Sequence, residues 1–115
     1  MVHVKSTHIP IPKIKFCFDE NTIIQTKDGP IKIKDISVGT ILYDGSKVTG
    51  KFVLNSISQT MYKLNNVIVS SSHKIFFRKK WIEVCKHPNA FKIKKYNKSK
   101  IYCLNTNTKR IVINT

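Results

Sequence analysis

Residues 22–33, with the sequence TIIQTKDGPIKI, place two short β-branched runs on either side of a Lys-Asp-Gly-Pro turn. Branched side chains favour strands, whereas Asp, Gly and Pro favour turns, so this stretch predicts a hairpin of residues 22–26 and 31–33. The same alternation of runs and turns predicts further strands at residues 41–43, 47–54, 61–64, 67–70, 74–77, 81–84, 101–104 and 110–113. Only residues 35–38 indicate a helical turn, and residues 86–97 carry no assignable pattern. We therefore expect an all-β barrel or sandwich of short strands.

The length and the cysteine content limit the class of protein. With 115 residues the chain has room for one small domain. No apolar run approaches the roughly 20 residues of a membrane-spanning helix, and the first residues lack the apolar core of a signal peptide. Three widely spaced cysteines without a secretion signal argue against a disulfide scaffold, and no ligand spacing predicts a metal site. We expect a monomer in the reducing cytoplasm, without membrane contact, metal or cofactor.

The charge balance raises a nucleic-acid hypothesis. Lys and Arg number 21 against 6 Asp and Glu, and no acidic residue follows Glu83. Non-specific contact with polyanions is expected on this basis. A basic β-barrel that stacks bases is one alternative function, with candidate stacking residues Phe16, Phe18, Tyr62 and Tyr96. Only two residues are arginine, however, and lysine enriched together with isoleucine and asparagine is what AT-rich coding produces without any partner, so a solvated basic surface is favoured.

The pattern of residue types along the chain changes at Cys17. Residues 9–12 read Ile-Pro-Ile-Pro, which favours an extended and weakly paired backbone. We interpret residues 1–16 as a leader, the flank of an upstream polypeptide, and residues 17–115 as the folded domain. Cys17 stands at their junction, where its backbone nitrogen belongs to the peptide bond between the two parts. The alternative is a buried apolar cysteine between two phenylalanines.

A second motif lies at residues 67–73, VIVSSSH, where a predicted strand ends in Ser70 and His73 follows three positions later. Across a bend, a hydroxyl and an imidazole at this spacing can face one point. On its own, a histidine after serines is more often a loop residue.

Taken together and in order, these motifs resemble the Hint (Hedgehog/intein) domain family, over residues 17 to about 114. The resemblance is to short intein-like members without a homing endonuclease, of the kind carried by viruses and mobile elements. The segments that carry it are Cys17-Phe-Asp, Thr22-Ile-Ile-Gln-Thr, Gly29, Ile33-Lys-Asp-Ile36, Val38-Gly39, Asp44-Gly45, Val69-Ser70-x-x-His73, Trp81-Ile-x-Val84, His87-Pro88 and Tyr102-Cys-Leu104. It implies an all-β horseshoe with pseudo-two-fold halves.

The resemblance also implies a reaction. Cys17 would attack the carbonyl of Phe16 in an N-to-S acyl shift, and the resulting thioester would be open to water or a thiol. His73 matches the family histidine that hydrogen-bonds the scissile nitrogen and protonates the leaving amine, and Ser70 would orient the peptide or stabilise the oxyanion. The substrate is the chain's own upstream polypeptide, so the domain would be a single-turnover, self-cleaving one. A Hint scaffold that has lost its activity is the other alternative.

Complete splicing is less expected than N-terminal cleavage. It requires a histidine before a terminal asparagine, and here Ile113 precedes Asn114. We expect Asn114 to be a turn residue and the domain to be truncated at its C-terminal end. Cys103 stands where the family often has an aspartate and where one unusual intein class has a second nucleophile, so both a chemical role and strand packing are open for it. Trp81 is expected to close the core beside the turn of Ser70 and His73.

Overall fold

The computed structural model describes residues 2–3 and 17–113 of the chain. Short strands dominate, with 3₁₀ turns at Ile33–Asp35, Ser56–Ser58 and Val84–Lys86. The strands are β1 (Val2–His3), β2 (Ile23–Thr26), β3 (Gly29–Lys32), β4 (Val48–Asn55), β5 (Met61–Leu64), β6 (Val67–Ser70), β7 (Lys74–Phe77), β8 (Lys80–Glu83), β9 (Ala90–Lys92) and β10 (Lys100–Thr106). None of the described residues lies in an α-helix, which confirms the all-β prediction. Within the same residues no helix is long and apolar enough to cross a membrane.

All pairings between these strands are antiparallel. β2 and β3 form one hairpin, β4 pairs with β10, β5 lies between β6 and β9, and β7 lies between β1 and β8. In the first hairpin Thr26 pairs with Gly29, so the turn consists of Lys27 and Asp28 alone. Gly29 has a φ of 106°, which glycine adopts without steric cost, and this lets β3 begin two residues earlier than the sequence indicated.

Other boundaries also differ from the sequence-based prediction. Where strands were predicted at residues 41–43 and 110–113, the structure has isolated bridges at Ile41 and Leu42 and one bridge at Ile111. The helical turn begins at Ile33, two residues before its predicted start. β9 lies in the segment without an assignable pattern. It is an edge strand with two exposed residues of three, so it lacks the alternation that marks a half-buried strand.

The core consists of two clusters of buried side chains. The larger one includes Phe18, Ile24, Val48 and Leu104. The smaller one is made of Cys17, Met61, Ile101 and Cys103, with Phe52, Leu54, Ile68, Ile93 and Tyr96 packed against it. Because burial of apolar area is the main favourable term in folding, the position of Cys17 is set by the core itself.

Trp81 does not close the core, contrary to expectation. It is 40% exposed and pairs across β7 and β8 with the exposed Phe76, with the two ring centroids 5.1 Å apart. The alternation of a strand explains the difference, because the neighbouring pair of Ile75 and Ile82 takes the inner face.

Candidate active site

The segment from Cys17 to Asp19 lies as a short strand between β6 and β10. Phe18 is bridged to Val69 on one side and to Tyr102 on the other. The N–H of Phe18 donates to the carbonyl of Tyr102 at 2.8 Å, and the N–H of Tyr102 donates back at 2.9 Å. The N–H of Asp19 donates to the carbonyl of Ile68 at 3.1 Å. This segment therefore joins two sheets, and Cys17 is held in place with its side chain completely buried.

Ser70, the last residue of β6, binds both backbone groups of Cys17. Its N–H donates to the Cys17 carbonyl at 2.8 Å. Its Oγ accepts a hydrogen bond from the Cys17 N–H at 2.9 Å, in a buried position. That N–H belongs to the peptide bond between residues 16 and 17. The Cys17 motif and the Ser-x-x-His motif are thus in contact at the nitrogen of this peptide bond.

His73 completes the turn that follows Ser70. Its N–H donates to the Ser70 carbonyl at 3.1 Å, and its own carbonyl accepts from the N–H of Val84 at 2.8 Å. The imidazole is completely buried and packs on the ring of Phe18, with centroids 4.9 Å apart. The imidazole therefore packs against the residue that directly follows Cys17 in the chain. The fold thus brings Cys17 and Ser70 into direct contact and places the His73 ring against Phe18.

Cys103 lies beside Cys17. Because Phe18 pairs with Tyr102, the antiparallel register places Cys103 opposite Cys17 on β10, and both belong to the smaller core cluster. Ser70 in turn pairs with Met61 of β5. A single row across the sheet thus runs from Cys103 through Cys17 and Ser70 to Met61, with neighbours about 4.5–5.5 Å apart.

Two of the residues that the sequence indicated lie outside the described part of the chain. These are Phe16, which would supply the scissile carbonyl, and Asn114. In the described ranges, no three His, Cys, Asp or Glu side chains lie close enough to hold a metal ion.

A charged cluster next to Cys17 was missed by the sequence reasoning. Asp19 is 6% exposed and accepts hydrogen bonds from the hydroxyl of Tyr96 and from the N–H of Asn21, the latter at 2.9 Å. Lys98 Nζ lies 3.1 Å from Asp19 Oδ1 and 3.3 Å from Oδ2. The partners of Asp19 lie 77 and 79 residues further along the chain, in a segment without periodicity, so the local sequence gives no indication of them.

These contacts change the acidity of both groups. Burial raises the pKa of the Asp19 carboxyl, but the hydrogen bonds from Tyr96 and Asn21 and the charge of Lys98 outweigh burial, and the pKa lies below its usual value. Burial and the adjacent carboxylate raise the pKa of the Tyr96 hydroxyl far above its usual range. Asp19 is therefore a carboxylate and Tyr96 a hydrogen-bond donor at neutral pH.

Asp19→Asn is expected to lower the free energy of unfolding at pH 7 by about 2 kcal/mol, because hydrogen bonds to a charged group contribute roughly 1.5–3 kcal/mol. A folded-state pKa below the unfolded one means that the contribution is complete above about pH 4 and is lost as the pH falls through the folded-state pKa. Urea unfolding at pH 7 and pH 2.5 measures this difference. The exposed Asp28→Asn is the control. A gap between Asp19→Asn and the natural chain that is equally large at both pH values would contradict the assignment.

The nucleic-acid alternative needs a correction at this point. Phe18 is completely buried and cannot stack on a base. Tyr62 and Tyr96 are half-buried and pack against the core clusters. Phe16 lies outside the described residues. Among the candidates that the structure describes, Phe18 is therefore excluded as a base-stacking residue.

An all-β chain whose cysteine strand joins two sheets beside a Ser-x-x-His turn has the fold of the intein class of Hint domains. Two solved structures show this directly. The MchDnaB-1 intein superposes with a TM-score of 0.63 at 16% identity, over 78% of this chain and 85% of that one. A variant of the gp41-1 intein superposes with a TM-score of 0.56 at 18% identity, over 80% and 88% of the two chains. No protein-family model and no curated protein sequence matches the chain. The Hint-like fold implied by the sequence is confirmed.

Proposed function

We propose that this protein is a self-processing domain that cleaves the peptide bond between Phe16 and Cys17. The observation that carries the proposal is the buried hydrogen bond from the Cys17 N–H to Ser70 Oγ, next to a buried His73. The likeness to solved inteins adds to it, since inteins act on their own flanking polypeptide. The reaction would occur once per chain, in a reducing compartment such as the cytoplasm.

The first step is an N-to-S acyl shift. The thiolate of Cys17 attacks the Phe16 carbonyl carbon, the C–S bond forms, and the C–N bond breaks. The proton lost by the thiol is matched by one that the leaving nitrogen gains, and His73 is the group that we propose as its donor. Ser70 Oγ, which accepts from the same N–H, keeps the nitrogen in a fixed orientation.

An acyl shift from amide to thioester is unfavourable for an ordinary peptide. The fold must offset the lost amide resonance, and strained peptides hold roughly 1–4 kcal/mol. The backbone around Cys17 suits this task because Ser70 binds its N–H and its carbonyl, while Tyr102 binds the N–H and the carbonyl of Phe18. These hydrogen bonds hold the residues on the Cys17 side of the scissile bond in place during the reaction.

The thioester would then be resolved by water or a thiol, which separates residues 1–16 from residues 17–115. N-terminal cleavage requires only Cys17 and its immediate partners. We propose no step that depends on Asn114, and we assign Cys103 to packing against Cys17.

Mass spectrometry of the intact chain tests the proposal. The natural chain, incubated at neutral pH with hydroxylamine, is expected to yield two fragments whose masses correspond to residues 1–16 and 17–115. Preincubation in urea is expected to prevent cleavage, because the acyl shift depends on the fold. A folded chain that keeps its full mass under hydroxylamine would contradict the proposal and would favour an inactive Hint scaffold.

Ser70→Ala is expected to slow fragment formation by about 10- to 100-fold, because the scissile nitrogen loses the hydroxyl that holds it in its reactive orientation. Ser70→Thr retains the hydroxyl and is expected to restore most of the rate. The rate constant of fragment formation under hydroxylamine is the measurement. Equal rates for the alanine and threonine variants would show that the hydroxyl has no part in the reaction.

A further inference from the structure

A pocket opens beside the smaller core cluster. Its volume is about 270 Å³, and it lies between the start of β5 and the segment that follows β9. Its apolar lining includes Met61, Ile93 and Tyr96. These three side chains also belong to, or pack against, the cluster that contains Cys17. The pocket therefore adjoins the packing around the proposed nucleophile.

The sheet register gives the backbone separation between Cys17 and Met61, a residue that lines the pocket. Met61 pairs with Ser70, and Ser70 binds the backbone of Cys17. Two strand spacings therefore separate Cys17 from Met61, which corresponds to about 10 Å. An extended peptide of three residues spans about the same length.

The outer part of the pocket is positively charged. Lys92, Lys94 and Lys95 line it and are exposed. No carboxylate belongs to its lining, and within residues 17–113 none of the three lysines forms an ion pair. The pocket thus combines an apolar inner wall with a rim that attracts anions.

We propose that this pocket binds the acceptor of the thioester, a small anionic thiol of about tripeptide size. The proposal rests on the self-processing function proposed above. In the reaction the acceptor's sulfur forms a new thioester bond to the Phe16 carbonyl carbon while the bond to Cys17 Sγ breaks. The proton of the acceptor thiol passes to the Cys17 thiolate, so the exchange needs no oxidant or reductant. The lysine rim holds the acceptor's carboxylates.

The test compares two thiols on the natural chain. Glutathione is tripeptide-sized and anionic, whereas 2-mercaptoethanol is small and neutral. Cleavage is followed by intact mass as a function of thiol concentration. With glutathione the rate is expected to saturate, and S-methylglutathione, which cannot react, is expected to inhibit it competitively. With 2-mercaptoethanol the rate is expected to rise linearly and to be insensitive to S-methylglutathione.

Charge-reversal variants locate the effect. Lys94→Glu with Lys95→Glu is expected to reduce cleavage by subsaturating glutathione about tenfold and to leave cleavage by 2-mercaptoethanol unchanged. Lys79→Glu with Lys80→Glu, at the exposed turn between β7 and β8, changes the net charge equally and is expected to affect neither thiol. An equal response of both thiols to the pocket variant, or a linear glutathione rate, would overturn the acceptor site. In that case, cleavage by 2-mercaptoethanol would still support the self-processing function. Resistance of the chain to both thiols would overturn both the acceptor site and the self-processing function.

Discussion

Replacement of Cys17 by alanine is expected to abolish cleavage under hydroxylamine and under thiols. The change removes the only sulfur next to the Phe16 carbonyl in the sequence, and Ser70 Oγ already accepts the N–H of the same peptide bond. Without a thioester, the remaining amide hydrolyses at the rate of an ordinary peptide bond. Intact mass after prolonged incubation is the measurement, and the full-length mass is the expected result.

Cys85→Ala is the matched control for the loss of a thiol. Cys85 is half-buried in the 3₁₀ turn Val84–Lys86, and its N–H donates to the Ser71 carbonyl at 3.2 Å, a backbone hydrogen bond that alanine retains. We expect this variant to cleave at the natural rate. Fragments of the same mass from Cys17→Ala would show that another group breaks the chain and would overturn the assignment of the nucleophile.

The accuracy of the sequence-based prediction follows the range of the interactions involved. The strands at residues 61–64, 67–70 and 74–77 were predicted with the bounds that the structure has. Each is a run of four bounded by local turn residues, such as Asn65, whose φ of 55° suits a tight turn. Residues 110–113 carry the same local preference but have only a bridge at Ile111. A strand also needs a neighbouring strand to pair with, and the local sequence does not reveal whether one is present.

The same distinction applies to the site. Cys17, Ser70 and His73 were indicated by their motifs and by the family resemblance, and the structure shows Ser70 in contact with Cys17 and the His73 ring in contact with Phe18. The cluster of Asp19 with Tyr96 and Lys98 could not be predicted, because it joins the start of the domain to a segment without periodicity. Identifying it from sequence would have required the register between Phe18 and Tyr102, which is a property of the assembled sheet.

The location of residues 17–19 suits the reaction that we propose on the domain's own backbone. Residues 17–19 are the strand that links the sheet of β4 and β10 to the sheet of β5, β6 and β9. A peptide bond at the edge of this strand is held by the packing of both sheets.

His73→Ala is expected to slow fragment formation by about 100- to 10,000-fold, the range that loss of a general acid or base produces. The imidazole is completely buried, and its ring packs on Phe18, whose backbone continues directly from Cys17. Without it the leaving nitrogen lacks an adjacent group that can donate a proton to it. Thermal unfolding measured in parallel separates this chemical effect from a loss of packing.

His87→Ala provides the matched control, since it also removes an imidazole from an aromatic contact. The ring of His87 lies 4.2 Å from that of Phe77, measured between centroids, and it is half-buried. Both variants lose packing, but only His73 adjoins the strand that carries Cys17. The proposed role therefore requires a large fall in the cleavage rate for His73→Ala and a rate near that of the natural chain for His87→Ala. Similar rates in two folded variants would assign His73 to the core and leave the proton donor to be sought elsewhere.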